Sequence, residues 1–384
     1  MKSKIAIILY ARFPSEMAYG NHIIQIANSY IDNGFEVNIY YPQTYNAKSI
    51  YQDPEQYYKS RDGIKFKKIN NFDITSFAFY EILPNLFKKI IYTGMTILWC
   101  FKLSKSFENE EYVWSTNPNI LLIVKKYFKF IIYEKHGAAR FIQKYSISRL
   151  KKDKKSFLVG VTKKSVQELH GSINIPLYLP NGVDEKLFFP KPRNNDSPTI
   201  GYVGLLETYG ADKGVINAVN EIIKINKYSN SRTIIVGGPE FKLDEIRELV
   251  KTKKQENNFQ ILKFMEHEKV AELMKSLDIG IVPYPKENHM NLYASPLKIF
   301  ELAASGVPIL ASNIDSHLEL NDLNLGIQYF EHNNFDDFRE KLHELIDNTE
   351  LRDSLSKKSL ENIQKLFWVN RTENIIQSVR SSIG

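Results

Sequence analysis

The chain has 384 residues, more than one hydrophobic core usually supports, and its hydrophobic content of 43% is enough to fill two domains. Its one cysteine, Cys100, cannot form an internal disulfide, so the cysteine content gives no argument for an oxidising compartment. Residues 1–4 lead straight into an apolar strand and show no secretory signal pattern, so we expect a cytoplasmic protein.

The formal net charge of +7 is unevenly distributed along the chain. Residues 1–190 carry 27 Lys and Arg against 16 Asp and Glu, whereas residues 191–384 carry 24 against 28. A basic first half suits anionic lipid, a phosphorylated acceptor or nucleic acid. The sequence contains no zinc-finger spacing, ribonucleoprotein motif or helix-turn-helix pattern, so we expect no nucleic-acid partner and favour the other two.

The chain begins with the pattern of a β-α-β unit. Residues 5–10 are an apolar run of strand length, a loop and a helix that ends at Gly34 follow, and residues 35–41 form a second strand. Ligands collect at the carboxyl ends of the strands in such units, which places Gly20 and His22 toward a cleft. His22 could equally be a residue at the start of the helix that points to water.

A lysine-flanked apolar stretch occurs within residues 85–105. Its core, residues 90–101, is too short to cross a bilayer, which needs about 20 residues. The stretch therefore either packs in an α/β domain, the reading that we favour, or lies on a membrane surface. Trp99 and the flanking lysines suit an interfacial helix. These lysines are Lys88, Lys89, Lys102 and Lys105.

Further apolar runs predict strands at residues 120–124, 130–133, 157–161 and 177–179. His136 follows the second of these runs and precedes a glycine. An open α/β sheet presents its ligands at such positions. His136 is therefore a candidate site residue.

Residues 188–198 contain three prolines and no periodicity, and we interpret them as a linker between domains. Alternating strands and helices then resume. The predicted strands lie at residues 199–203, 233–236, 259–262, 279–282 and 308–311. The predicted helices begin near residues 215, 335, 350 and 368. This pattern predicts a second doubly wound domain, so the fold class is α/β with two Rossmann-like domains.

The most informative helix begins near Ser295, a good N-cap, with Pro296 suited to the first helical position. The N–H groups of Leu297 and Lys298, together with the helix dipole, attract an anion such as a phosphate. Glu301 lies one turn further along and is suited to accept hydrogen bonds from ribose hydroxyls. These residues predict a site for a nucleoside diphosphate, although an ordinary surface helix can carry them too.

A series of short motifs occurs along nearly the whole chain. In order they are AYGNH (18–22) with GFEV (34–37), EKHG (134–137), PNGVD (180–184) with Phe188, GYVG (201–204) with Lys213 and Gly214, VGGP (236–239), SPLKIFE (295–301) with GVP (306–308), and FW (367–368) with Arg371. No single motif is specific. The set resembles the GT-B glycosyltransferases of group 1, and locally family 4, whose members retain anomeric configuration and use nucleotide-sugar donors.

The resemblance implies three catalytic residues. Glu301 corresponds to a glutamate that binds ribose hydroxyls, and Lys213 to a lysine that meets the diphosphate and stabilises the leaving group. His136 corresponds to a histidine near the donor sugar, where it orients the sugar hydroxyls or the acceptor. Gly20 is implied to let the backbone approach the phosphates.

The remaining site residues follow from the same resemblance. On the donor side they are Gly20, Gly204, Gly237, Phe264, Met265, Ser295, Leu297 and Lys298, and on the acceptor side His22 and Arg12. Phe264 and Met265 lie where the family reads the base, but their side chains do not distinguish uridine from guanosine. No metal and no cofactor beyond the nucleotide sugar are expected, because no Asp-x-Asp motif suggests a metal site.

The sequence departs from the family pattern at two positions. Tyr293 occupies the position, eight residues before Glu301, of the first acid of the paired-glutamate motif. Leu205 replaces an arginine that often follows the glycine of the GYVG strand, which removes one positive charge near the diphosphate. Arg12, Lys298 or another basic group could compensate for that loss.

The resemblance implies transfer of a sugar to a glycan or lipid-linked saccharide in cell-surface polysaccharide biosynthesis, by a cytoplasmic enzyme peripheral to the inner face of the plasma membrane. It also implies an acceptor domain (1–190), a donor domain (191–366) and a C-terminal helix (367–384) that returns to the first domain. Two alternatives remain. One is a catalytically silent nucleotide-sugar-binding subunit, and the other is an epimerase or phosphorylase of the same fold.

Overall fold

The computed structural model describes residues 2–15, 18–45, 50–192, 197–208, 210–226 and 231–382. They form two compact units. The first contains the described residues up to Leu179 and those from Trp368 onward, and the second is Pro180–Phe367. Each unit is built on a parallel β-sheet with surrounding helices, which confirms the predicted α/β class with two Rossmann-like domains.

The first unit contains a seven-stranded parallel sheet in the order β3-β2-β1-β4-β5-β6-β7. Its strands are β1 (Lys4–Ile8), β2 (Glu36–Pro42), β3 (Ile64–Ile69), β4 (Tyr112–Ser115), β5 (Phe130–Lys135), β6 (Ser156–Gly160) and β7 (Leu177–Tyr178). Ile5 of β1 lies opposite Val37 on one side and Tyr112 on the other. The strand order therefore reverses between β1 and β4, where such sheets open a crevice for ligands.

The helices of the first unit cover both faces of its sheet. They are α1 (Ala18–Asp32), α2 (Pro54–Tyr58), α3 (Ala78–Ile82), α4 (Asn85–Leu103), α5 (Pro118–Val124), α6 (Phe141–Lys151) and α7 (Lys163–Leu169). Short 3₁₀ turns occur at Ile74–Ser76 and Lys125–Tyr127. The sheet is apolar on both faces, so two separate clusters of buried side chains form its core, one on each face.

The strand predicted at residues 120–124 is wrong, because these residues lie in α5. The Asn117 side chain accepts a hydrogen bond from the N–H of Asn119 at 3.0 Å, and Pro118 occupies the first turn. A buried helix of this length shows the same apolar run as a strand. β3 and β4 were not predicted.

The second unit contains a six-stranded parallel sheet in the order β12-β11-β8-β13-β14-β15, together with an antiparallel hairpin of β9 and β10. Its strands are β8 (Thr199–Leu205), β9 (Glu207–Thr208), β10 (Ala211–Asp212), β11 (Arg232–Gly238), β12 (Phe259–Lys263), β13 (Ile279–Val282), β14 (Ile309–Ser312) and β15 (Ile327–Phe330). The strand order reverses between β8 and β13, and the candidate donor residues follow these two strands.

The second unit has one continuous hydrophobic core. Its helices are α8 (Val215–Ile225), α9 (Glu240–Thr252), α10 (His267–Lys275), α11 (Asn288–Tyr293), α12 (Leu297–Ala304), α13 (Asp315–Leu318), α14 (Phe335–Asp347) and α15 (Thr349–Asn362), with 3₁₀ turns at Glu256–Asn258, Glu319–Leu323 and Ile363–Leu366. Gly306 has φ 65° just beyond α12, the left-handed conformation that ends helices.

The predicted domain boundary between residues 190 and 191 lies later than the division between the two units. Val183 and Phe188 are the reason, because both are buried in the core of the second unit. Residues 193–196 of the predicted linker lie outside the described residues.

The last helix, α16 (Trp368–Ser381), belongs to the first unit. Ile375, Ile376 and Val379 join the core that contains α1. Ser29 of α1 and Thr372 share a buried hydrogen bond of 2.6 Å between their hydroxyls. A segment that follows the second unit in sequence is thus part of the core of the first.

We expect Ile375→Ala to lower the free energy of unfolding of the first unit by about 2–5 kcal/mol, because it leaves a cavity at a fully buried position. All three tryptophans, Trp99, Trp114 and Trp368, belong to this unit, so urea denaturation followed by tryptophan fluorescence reports on it alone. The exposed Asn374→Ala is the matched control. Equal denaturation midpoints for the two variants would show that α16 does not stabilise the unit.

Candidate functional site

In the second unit, the start of α12 differs in detail from the prediction. Pro296, and not Ser295, occupies the N-cap position, and no side chain caps the helix. The Ser295 hydroxyl instead accepts a hydrogen bond from the N–H of Asn181 at 2.8 Å, and its carbonyl accepts one from the Asn181 amide at 3.3 Å. The first N–H groups of α12 therefore have no side-chain acceptor from Ser295, which leaves this positive helix end able to bind an anion.

Two glycines at the carboxyl ends of β8 and β11 make room at this helix end. A Cβ atom on Gly204 would overlap the side chain of Lys298, and one on Gly237 would overlap the Gly204 carbonyl oxygen. Gly204 also has φ 136°, which other residues rarely adopt. The two glycines thus let the Lys298 side chain cross the end of β8, so three predicted donor residues lie together.

Lys213 and Lys298 both lie near the phenol of Tyr284, just beyond β13. The Lys213 Nζ is 5.0 Å from the centre of the Tyr284 ring, and the Lys298 Nζ is 5.9 Å from that of Tyr202. Among the described residues, neither lysine has a carboxylate oxygen within 4.0 Å. The two ammonium groups are therefore unbalanced by any nearby carboxylate.

The pKa shifts agree with this excess of positive charge. Burial lowers the pKa of Lys213, and the charge of Lys298 lowers it further. Burial would raise the pKa of the Tyr284 phenol, but the two ammonium groups outweigh it and hold that pKa below its usual value. A negatively charged ligand would relieve the repulsion between the two lysines.

Glu301 lies on α12 one turn after Lys298, on the same face. Its Oε1 is 3.4 Å from the Nε2 of His267, the first residue of α10. Burial would lower the pKa of His267, but the Glu301 carboxylate outweighs it and raises that pKa. The carboxylate is thus half-buried and held in place by an imidazole, with capacity for further hydrogen-bond donors.

The remaining predicted donor residues, and the two positions that depart from the family pattern, lie at the ends of strands of the same sheet or near α12. Phe264 and Met265 follow β12, where Phe264 is largely exposed and Met265 packs against the core. Tyr293 ends α11 and is half-buried. Leu205 ends β8 and is 44% exposed. It is uncharged, whereas the family often has an arginine at this position.

In the first unit, the candidate site is organised by Glu134, near the end of β5. This carboxylate is fully buried and accepts a hydrogen bond from the Nε2 of His136 at 2.7 Å and one from the indole N–H of Trp114 at 3.4 Å. The Arg371 guanidinium of α16 lies 3.0 Å from its second oxygen. The carboxylate is thus contacted on both oxygens.

Burial would raise the pKa of the Glu134 carboxyl, but Arg371 and His136 outweigh it and hold that pKa well below its usual range. Glu134 is therefore ionised and balanced by Arg371, which also donates to the Leu179 carbonyl at 3.1 Å. His136, whose side chain is 30% exposed, is the member of this cluster that can reach a ligand.

The structure brings His22 to the same cluster. Its Nε2 lies 3.6 Å from Glu134, and its ring packs edge-on against His136 at 5.0 Å and Trp368 at 5.2 Å. Burial lowers the pKa of His22 to about 4, so the imidazole is neutral at pH 7. His22 lies inside α1 among aromatic rings and does not point to open water.

Gly20 and Arg12 lie near one another but apart from these contacts. A Cβ atom on Gly20 would overlap the hydroxyl of Tyr58 and the carbonyl of Ser15. Packing within the first unit is therefore enough to require glycine at this position. The Arg12 guanidinium donates to the Ser15 hydroxyl at 3.3 Å.

The potential ligand atoms of His22, Glu134 and His136 lie within 4.8 Å of one another, a spacing that a metal ion could bridge. Two features of this chain disfavour a metal there. The Arg371 charge already balances the carboxylate, and the His136 Nε2 already bonds to it. The residues fit an internal ion-pair cluster better than they fit a metal centre.

Comparison with known proteins gives a family for part of the chain. Residues 183–361, somewhat less than half of it, match the family model of glycosyl transferases, group 1. A sequence search of curated proteins finds no match.

Solved structures agree with this family. A glycosyltransferase from Rickettsia africae matches at TM-score 0.72 and 16% identity, with 100% of this chain and 99% of that chain covered. Sucrose-phosphate synthase from Thermosynechococcus elongatus matches at 0.68 and 15%, with the same coverage. HepE from Anabaena, in complex with UDP and glucose, matches at 0.66 and 13%, covering 99% of this chain and 100% of that one. The chain therefore has the GT-B fold that these structures share.

Several contacts of the candidate site were not expected from the sequence. Tyr284 between two lysines, His267 beside Glu301, and Asn181 beneath Ser295 were not singled out. One signal was available: Arg371 falls on the apolar stripe of α16, between Trp368 and Ile375. A charged residue on a buried stripe requires a buried partner.

The first unit should lose stability as the pH falls from about 6.5 to about 4. In this window the unfolded chain binds a proton at His22 and the folded chain does not, which costs at most about 1.4 kcal/mol per pH unit. Urea denaturation at several pH values, read by tryptophan fluorescence, should show this slope. His22→Gln should flatten it, whereas His170→Gln at an exposed position should not. Identical slopes in both variants would rule out His22 as the titrating group.

Proposed function

We propose that the protein transfers a sugar from a nucleoside diphosphate sugar to a glycan or lipid-linked saccharide acceptor, with retention of anomeric configuration. The observation that carries the proposal is the pair of ammonium groups, Lys213 and Lys298, which lie around Tyr284 without a nearby carboxylate. They lie beside the N-terminus of α12, a second source of positive charge. A diphosphate supplies the negative charge that this arrangement favours.

The same charges account for catalysis. As the glycosidic bond to the donor breaks, negative charge accumulates on the departing diphosphate, and fixed positive groups stabilise it. Lys298, which crosses Gly204 next to Leu205, is the group that compensates for the missing family arginine. We assign no protein nucleophile, and propose that the leaving phosphate deprotonates an acceptor that attacks from the same face.

We assign the ribose to Glu301. Its carboxylate is on the face of α12 that carries Lys298, so a nucleotide whose diphosphate contacts the lysine can present its hydroxyls to the carboxylate. His267 holds the carboxylate before the ligand arrives, which lowers the entropy lost on binding. The exposed ring of Phe264 is available to stack on the base.

The chain's own cations perform the charge neutralisation that a divalent metal supplies in other phosphate sites, so we propose that no metal takes part. HepE from Anabaena was solved with UDP and glucose, which makes UDP and its sugars the first donors to test. We assign the acceptor to the first unit, near His136, His22 and Arg12, and propose a lipid-linked acceptor at the inner face of the plasma membrane, in cell-surface polysaccharide synthesis.

A silent nucleotide-sugar-binding subunit is the second candidate. Tyr293 and Leu205 favour it, because each replaces a charged residue that the family uses at the donor. Nucleotide binding without transfer over a panel of donors and acceptors would identify this function.

We expect Lys213→Ala and Lys298→Ala each to lower the rate of nucleoside diphosphate release from the sugar nucleotide about 100-fold, the usual cost of removing one charge-stabilising group. The assay uses a panel of donors that begins with UDP-glucose, in EDTA so that stray metal cannot replace the missing charge. Lys251→Ala, at an exposed position on α9, is the matched control. Turnover within twofold of wild type in both variants would refute the diphosphate assignment.

Glu301→Ala should weaken binding of UDP by about tenfold or more, because hydrogen bonds to a carboxylate contribute about 1.5–3 kcal/mol. The variant should bind UDP and its 2′,3′-dideoxy analogue equally, whereas wild type should prefer UDP. Calorimetry with both ligands measures this preference. Glu340→Ala, which removes an exposed carboxylate of α14, should retain the preference for UDP. A preference that survives in Glu301→Ala would place the ribose elsewhere.

A further inference from the structure

The solvent-facing side of α4 is apolar. Leu86, Ile90, Leu98 and Phe101 are 66%, 59%, 67% and 62% exposed. Helical spacing places residues 86, 90, 97 and 101 on one stripe and residue 98 beside it. From residue 86 to residue 101 of this 19-residue helix, the stripe extends over about 22 Å.

The opposite side of α4 packs against the core of the first unit, as one side of a surface helix normally does. Met95, Trp99, Cys100 and Leu103 are buried in the first unit. The sequence favoured core packing for this stretch, and that prediction is right for one side of the helix. A surface helix normally presents mostly polar residues on its other side, whereas α4 presents a continuous apolar stripe there.

Helix α3 extends the apolar surface. The Tyr80 hydroxyl of α3 donates to the Lys88 carbonyl of α4 at 3.3 Å, and Ile82 at the end of α3 is 85% exposed.

The charge around this surface has one sign. Residues 84–106 contain four lysines and neither Asp nor Glu. Lys89 and Lys102 are exposed on α4, and Lys105 is exposed just after it. Long lysine side chains beside an apolar stripe can reach lipid phosphates while the stripe enters the acyl region.

We propose that the exposed face of α4, with Ile82, is a docking surface for an anionic lipid bilayer, on which α4 lies parallel to the membrane plane. Among the described residues, no helix is long and apolar enough to cross a membrane, so α4 would lie in the interface. A second copy of this chain suits the face poorly, because two such faces would bring eight lysines together without a carboxylate from residues 84–106. The inference goes beyond the proposed reaction and does not depend on it.

Sedimentation with phosphatidylcholine vesicles, with and without phosphatidylglycerol, tests the proposal. The full chain should bind the anionic vesicles at low salt, and binding should weaken as salt rises. Leu98→Glu and Phe101→Glu should each reduce partitioning about tenfold or more, because each removes an inserted apolar side chain. Both side chains are exposed, so thermal unfolding followed by tryptophan fluorescence should be unchanged.

Ile175→Glu is the matched control, since Ile175 is 85% exposed in the same unit and lies outside the docking surface. Ile175→Glu should bind vesicles like wild type. Lys213→Ala should also bind vesicles like wild type, so the test of the docking surface does not depend on the proposed donor site. Three results would overturn the docking surface: no binding at low salt, equal binding by Leu98→Glu and wild type, or a dimer in sedimentation velocity that Leu98→Glu dissociates.

Discussion

The candidate site of the second unit depends on positive charge that no nearby carboxylate balances. Lys213 is buried, Lys298 lies close by, and the group near both is a phenol, a far weaker partner than a carboxylate. Buried charges without an opposite partner lower the stability of the free protein. A bound anion removes this penalty, so the lost stability is recovered as free energy of binding. The positive end of α12 and the glycines at the ends of β8 and β11 are the structural means of holding these charges at one place.

The first unit handles charge in the opposite way. Glu134 is as deeply buried as any residue of the sheet, but Arg371 and two hydrogen-bond donors satisfy it completely. Its effect is on geometry, since it fixes His136 by one ring nitrogen and leaves the other for a ligand. The second unit therefore keeps two positive charges close together without a negative partner. The first unit pairs its buried carboxylate with Arg371 and uses that carboxylate to orient His136.

Residue spacing was enough to predict most of the strands, the two-domain α/β class and the shared helix face of Lys298 and Glu301, because these depend on local periodicity. The family resemblance was needed to add Gly204 to this group. It failed for residues 120–124, where a buried helix and a buried strand look alike. Ser295 was assigned to the wrong cap position because its partner, Asn181, is distant in sequence. Contacts such as Tyr284 with Lys213 and His267 with Glu301 depend on tertiary packing, which a single sequence does not reveal.

The chain passes from one unit to the other at two neighbouring points. The Val183 N–H donates to the Leu366 carbonyl at 2.9 Å, and Val183 forms a parallel bridge with Phe367. The ends of the second unit are therefore adjacent, so this unit is inserted as a whole into the sequence of the first. Two breaks in the chain would be enough to exchange it for the matching unit of another protein, while the first unit kept its own core, including α16.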